Sequence, residues 1–216
     1  IYYPNKIKQI IGRLNTQNLP EKDEREAVET ITELIEYYKG IFTILSSCAA
    51  RQLEEVTFRR NTIPVQELFD AAGKYFRKVT KNRTEKVELI IEPMDAKVIG
   101  DVNQLRFLFE NLIDEALAVR EEGVIRLQAR KDNEYIRFLF TDTRREKSVT
   151  ELNQLFYPNL ARMTSGEKGE LRGTEYLICK QIIRDHDEFA GRRGCRINAE
   201  PAEGGGFTVY FTIPRR

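Results

Sequence analysis

The stretch Gly100–Ala118, GDVNQLRFLFENLIDEALA, decides how the rest of the chain is read. Its apolar residues Leu105, Leu108, Phe109, Leu112, Ile113 and Ala116 recur at intervals of three and four, so the spacing predicts a helix with one buried stripe. Asp101 stands at the N-cap position, where its carboxylate can accept the free N–H groups of the first turn. Asn111 and Glu115 lie four apart and share one helix face. Two oxygen-bearing side chains so placed suit a hard cation such as Mg²⁺, which takes oxygen ligands and usually contacts phosphate too. The same spacing also fits an ordinary amphipathic helix with a solvated polar edge.

Outward from this helix, Val65–Thr80 has helical spacing through Leu68, Phe69, Ala72 and Phe76, and VELII at Val87–Ile91 reads as a strand. Lys97–Gly100 reads as a second, shorter strand. GVIRLQAR (Gly123–Arg130) and YIRFLFT (Tyr135–Thr141) form a hairpin with Asp132-Asn133 as its turn. Val149–Phe156 is a short helix and Gly173–His186 a longer one, with Leu177, Ile178, Ile182 and Ile183 inward. Cys195–Ala199 and Phe207–Ile213 alternate as strands around the turn in EGGG. Helices interleaved with a mixed, mostly antiparallel sheet make residues 61–216 an α+β two-layer sandwich.

Residues 1–60 read differently, as a helical hairpin. Pro4 suits a first helical turn, and Ile7, Ile10, Ile11 and Leu14 mark one face. Asn15–Pro20 breaks the pattern before a second helix from Glu21. There Val28, Ile31, Ile35, Tyr38, Phe42, Leu45, Ala49, Gln52 and Val56 form a heptad seam. A seam this regular wants another helix against it, so residues 21–58 are expected to form a homodimer through a four-helix bundle. Asn61–Pro64 is an extended connector at the domain boundary.

With 216 residues, 41% hydrophobic and 32% charged, the chain reads as globular and water-soluble. A formal net charge of +1 gives no global field for nucleic acid, and no aromatic-basic stripe appears. Cys48, Cys179 and Cys195 are scattered, without metal-ligand spacing, as buried thiols of a reducing cytoplasm are. No apolar run reaches the roughly 18 residues of a membrane span. The opening IYYPNKIKQI lacks an initiator Met, so an excised fragment is expected, with any sensor or inner-membrane anchor upstream.

GDVNQLRFLFENLIDEA resembles the segment of sensor histidine kinases of two-component systems that runs into the N box, N-L-x-x-N-A. Asn111 matches the first asparagine, and Glu115 occupies the position of the second, the family's Mg²⁺ ligand. The order of the later pieces is similar to the ATP-binding domain of those kinases, a fold shared with gyrase, Hsp90 and MutL. FLFTDT (Phe138–Thr143) resembles the strand into the G1 box, D-x-G-x-G, whose Asp pairs with the adenine amino group; here that is Asp142. Arg144 and Glu146 replace the two glycines. LNQLFYP (Leu152–Pro158) resembles the F box, and Asn159–Leu171 occupies the place of the mobile ATP lid. The resemblance implies that Arg162, Lys168 or Arg172 would neutralise phosphates.

LRGTEYLICKQIIRDH resembles the G2 box and its helix, with Gly173 keeping a family glycine and Leu171 and Glu175 replacing two others. Glu175 in a first helical turn suits the helix dipole and repels a triphosphate, and it reads equally as a salt-bridged surface residue with no bearing on ligand. His186, the sole histidine, falls at this helix's end, where a positive side chain has a structural role. By the register of Pro4, the phosphoacceptor histidine falls just before Ile1.

Two functions follow from the resemblance. In the first, the chain is the cytoplasmic catalytic portion of a histidine kinase. It would bind Mg-ATP through Asn111, Glu115, Asp142, Arg162, Lys168 and Gly173, and serve a response-regulator receiver domain. In the second, it is a degenerate kinase-like module that signals and dimerises without ATP turnover, as Arg144, Glu146, Leu171 and Glu175 suggest.

Overall fold

A computed structural model describes residues 9–12, 14, 22–32, 35, 58–157 and 175–216. The described residues fall into two units, the larger holding residues 58–157 and 175–216. In the smaller, residues 9–12, 14, 22–32 and 35 are helical, and seam residues Val28 and Ile35 are about half exposed. The rest of the expected hairpin, Tyr38 to Val56 included, lies outside the described residues. Among the described residues no helix is long and apolar enough to cross a membrane.

The larger unit runs β1 (Asn61–Pro64), α1 (Val65–Thr80), β2 (Val87–Ile91), β3 (Lys97–Gly100), α2 (Val102–Leu117), β4 (Gly123–Asp132) and β5 (Tyr135–Asp142). It continues through α3 (Val149–Gln154), α4 (Glu175–Phe189), β6 (Ile197–Pro201) and β7 (Phe207–Pro214). The expected connector Asn61–Pro64 is in fact a strand, because its backbone finds an antiparallel partner in β3. The main sheet has the order β2-β4-β5-β7-β6, with β2 parallel to β4 and the other pairs antiparallel. This is the expected α+β arrangement with a mixed sheet. A parallel pair needs a long crossover, and the segment carrying α2 supplies it.

Alternation sorts the sheet into two faces. Ile136, Phe138 and Phe140 of β5 are buried, in register with Ile213, Phe211 and Val209 of β7. The other face carries polar pairs, including Thr141 hydrogen-bonded to Thr208 at 2.8 Å and Arg137 over the Tyr210 ring. On the buried face Phe138 stacks on Phe211 at 4.9 Å, and Phe109 of α2 meets both rings edge-on or tilted at 5.8 and 5.6 Å. Phe69 of α1 closes the cluster, 6.0 Å from Phe138. Aromatic rings in offset and edge contacts add specific geometry to the burial that joins helix layer to sheet.

Two expectations shift. The β4–β5 turn is Asn133-Glu134, one residue later than read, since Asp132 still pairs with Tyr135 and Asn133 takes the positive φ of 53°. Asn tolerates that conformation better than other side chains with a Cβ. The second concerns His186. Helix α4 runs past it to Phe189, and the imidazole is fully buried instead of serving as a cation at the helix end.

His186 Nδ1 lies 2.8 Å from the Ile182 carbonyl and Nε2 accepts from the Asp101 N–H at 3.1 Å, a pattern that assigns the proton to Nδ1. Asp101 caps α2 as expected, accepting from Asn103 and Gln104 N–H, and its second oxygen accepts from Arg59 N–H at 2.8 Å. Phe58 packs edge-on against His186 at 4.9 Å. Gly100 makes room for the ring, since a Cβ there would stand 2.8 Å from it.

Burial lowers the His186 pKa, against smaller raising contributions from Ile182, Asp101 and Asp185. The unfolded imidazole takes a proton near its ordinary value of about 6.5 while the folded one stays neutral. Stability contributed here is therefore full above that pH and is lost as pH falls through the window beneath it, at up to about 1.4 kcal/mol per pH unit. Urea denaturation at pH 7.5 and 5.5 checks this: the wild type shows the acid loss, and His186→Gln shows none of this part of it.

Candidate functional site

The site grows from the inward row of β5. Ile136, Phe138 and Phe140 are followed at the same period by Asp142, which pairs in register with Ile125 of β4 and Phe207 of β7. Alternation therefore delivers a carboxylate to the buried face, and the Asp142 side chain is 1% exposed. An unpaired charge at such depth costs several kcal/mol, so the fold must supply cations or donors.

Arg144 and Arg145 supply them. Arg144 Nε donates to Asp142 Oδ1 at 2.8 Å and its Nη2 to Oδ2 at 2.9 Å, a fork-on-fork pairing. The Arg144 backbone N–H adds a third bond to Oδ1 at 3.1 Å, and Arg145 Nε reaches Oδ2 at 3.2 Å. The Arg144 side chain is itself only 1% exposed.

The same guanidinium reaches α2. Its Nη2 donates to the Ala116 carbonyl at 2.6 Å and its Nη1 to the Glu121 carbonyl at 3.1 Å. Arg145 Nη2 lies 3.4 Å from the Glu115 carbonyl, while Arg83 donates to the Leu117 and Val119 carbonyls at 2.6 and 2.9 Å. The last turn of a helix leaves carbonyls without intrahelical partners and carries partial negative charge. Three arginines from outside the helix meet both needs. Gly123 adopts φ 134°, and a Cβ there would lie 2.9 Å from Arg144 Cγ, so the arginine stem passes over a position that has no side chain.

Acidic groups gather nearby. Asn111 and Glu115 are buried on α2, and the Asn111 amide donates to the Phe107 carbonyl of its own helix at 2.7 Å. Burial raises the Asp114 pKa and the charge of Glu175 raises it further, while the Tyr75 hydroxyl, 2.9 Å from both oxygens, lowers it. The Cys179 thiol is pushed well up by burial and then by the charges of Glu175 and Glu115.

Of the residues singled out in the sequence, the structure places Asp142 across from the C-terminal turn of α2, the helix that bears Asn111 and Glu115, with two guanidinium groups bridging them. Arg162, Lys168 and Gly173 lie outside the described residues, as do Leu171 and Arg172. Among the described residues, no group of three or more His, Cys, Asp or Glu could hold a metal ion. As arranged, the carboxylate that would receive the base has both oxygens hydrogen-bonded within the chain. In the sequence Arg144 stands as a lost glycine, and the structure shows what it binds. The signal was present in the Asp-x-Arg spacing at the end of a strand, where a turn folds residue i+2 back over residue i. Nothing local marked Arg83.

The chain matches the model of the family described as "Histidine kinase-, DNA gyrase B-, and HSP90-like ATPase" over residues 100–216. No curated protein matches it. Among solved structures, it is similar to the mycobacterial sensor histidine kinase MprB, with TM-score 0.54 and 18% identity over 73% of this chain and 99% of that one. The catalytic domain of histidine kinase ThkA gives TM-score 0.58 and 20% identity over 73% and 96%. ThkA in complex with the response regulator protein TrrA gives TM-score 0.59 and 18% identity over 99% of this chain and 58% of that one. By the match over residues 100–216, which hold the helix, strand and buried aspartate described above, this chain belongs to the family of histidine kinase-, DNA gyrase B- and HSP90-like ATPases.

Proposed function

We propose that this chain is a two-component signalling domain of the histidine kinase type that dimerises through residues 21–58, engages a response-regulator receiver domain in the cytoplasm, and works without turning over ATP. One observation carries the reading: both oxygens of Asp142 are already hydrogen-bonded within the chain, to Arg144 and Arg145. The carboxylate expected to select adenine is spent on the fold.

The second reading is an active kinase that binds ATP and Mg²⁺ and phosphorylates a histidine upstream of Ile1. It is favoured by the retention of Asn111 and Asp142, with Glu115 in place of the second asparagine, at buried positions of the elements expected for them. In that reading Arg162, Lys168 and Gly173 would receive the phosphates, and Asn111 with Glu115 the metal.

Titration calorimetry of the full chain with millimolar Mg-ATP separates the two. No binding heat and no labelling of the protein or a receiver from γ-labelled ATP are expected; saturable binding with transfer of label establishes the active kinase. The structural use of Asp142 gives a further expectation. Asp142→Ala leaves buried guanidinium groups without their carboxylate and lowers stability by about 3–5 kcal/mol in urea denaturation.

A further inference from the structure

We propose that Arg144 acts as a built-in surrogate for the nucleobase, and that this one side chain, more than the lost glycines or the acidic residues, is what closes the pocket. The inference deepens the reading of a silent nucleotide site and rests on it.

The argument is one of matching donors. The exocyclic amine expected to select Asp142 is a planar nitrogen donor presented edge-on to a carboxylate. The Arg144 guanidinium presents two such donors in one plane, at 2.8 and 2.9 Å, and carries a positive charge as well. A base has no equivalent of that charge. Two more of the guanidinium bonds, to the Ala116 and Glu121 carbonyls, fix it from the α2 side and from the loop after it. Four of its hydrogen bonds are thus satisfied at a site where the side chain is 1% exposed. Gly123 leaves the channel through which the stem enters.

A competitor attached to the chain two residues from its target holds a high effective concentration there, which a free nucleotide must outbid. Arg145 reaches only Oδ2, at 3.2 Å, whereas the Arg144 side chain holds both oxygens, so its removal frees most of the carboxylate.

The test compares the full-length chain with Arg144→Gly and Arg144→Lys, using Mg-ATP and ethylguanidinium, the truncated side chain, as probes. Calorimetry is expected to give no binding by the wild type. For Arg144→Gly, Mg-ATP affinity should rise by about a hundredfold or more above the wild-type detection limit, the scale on which a tethered competitor outweighs a free one. Ethylguanidinium should raise the melting temperature of Arg144→Gly and displace Mg-ATP from it.

Arg144→Lys keeps a cation beside Asp142 and guards against a failure of the glycine variant to fold. It loses the fork, so a gain of about tenfold or more over the wild type is expected. If circular dichroism shows the variants folded and neither binds Mg-ATP, Arg144 is not the barrier, although the silent-domain reading stands. Binding by the wild type as tight as by Arg144→Gly overturns both. Mg-ATP binding to Arg144→Gly that ethylguanidinium leaves unchanged places the nucleotide elsewhere and overturns the surrogate.

Discussion

A carboxylate at the end of an inward-facing apolar row has to be neutralised by something, and most of what is distinctive in this chain answers that requirement. Strand β5 is central, paired on both sides, so its side-chain alternation cannot slip without turning Phe138 and Phe140 outward. Register therefore fixes Asp142 on the buried face. At the same place the helix opposite ends, exposing carbonyls that need donors. A guanidinium can serve a carboxylate and carbonyls together, because its donors radiate in one plane and it accepts nothing. Arg144 fills both roles and ties the helix layer to the sheet by polar contacts at an edge where the aromatic cluster no longer reaches.

The opposite end of α2 is held by a network of backbone and side-chain hydrogen bonds. Asp101 caps the helix, His186 accepts its backbone N–H, and Arg59 N–H binds the carboxylate's second oxygen. The helix is thus gripped at its start by α4 and by residues 58–59, and at its finish by arginines that follow β5 and precede β2. Phe58 on His186 extends the first grip into the residues that lead into β1. Packed side chains with directional hydrogen bonds resist small deformation.

What could be read from sequence was whatever depends on period and on backbone chemistry. The bounds of α1, β2 and β3 and the cap at Asp101 follow from spacing and from the side chains at element ends. Strand pairing for Asn61–Pro64 did not, because four residues carry too little alternation to tell a strand from a connector, and the partner β3 is distant in sequence. His186 was misread for a related reason: a helix-end histidine resembles a cation until the neighbours that bury it are known. The site was half legible. Periodicity and resemblance located Asp142, but the ownership of its oxygens depends on side-chain directions after the strand and on a gap at Gly123, neither of which has a sequence period.

Retention of Asp142 alongside loss of the glycines has a physical explanation that requires no nucleotide. Once an arginine occupies the position two residues after the aspartate, each member of the pair makes the other costly to remove, since deleting either one strands a buried charge. Replacing both together by apolar residues of similar volume costs less than removing either alone, although it strands the Ala116 and Glu121 carbonyls. The pair is therefore locked against single changes and open to double ones. The aspartate's presence alone says little about ATP use, because a buried Asp-Arg pair protects it as firmly as a ligand would. The informative residue is the partner. A glycine after the aspartate leaves the carboxylate waiting for an external donor, whereas Arg144, with four of its donors engaged inside the chain, leaves it nothing to wait for.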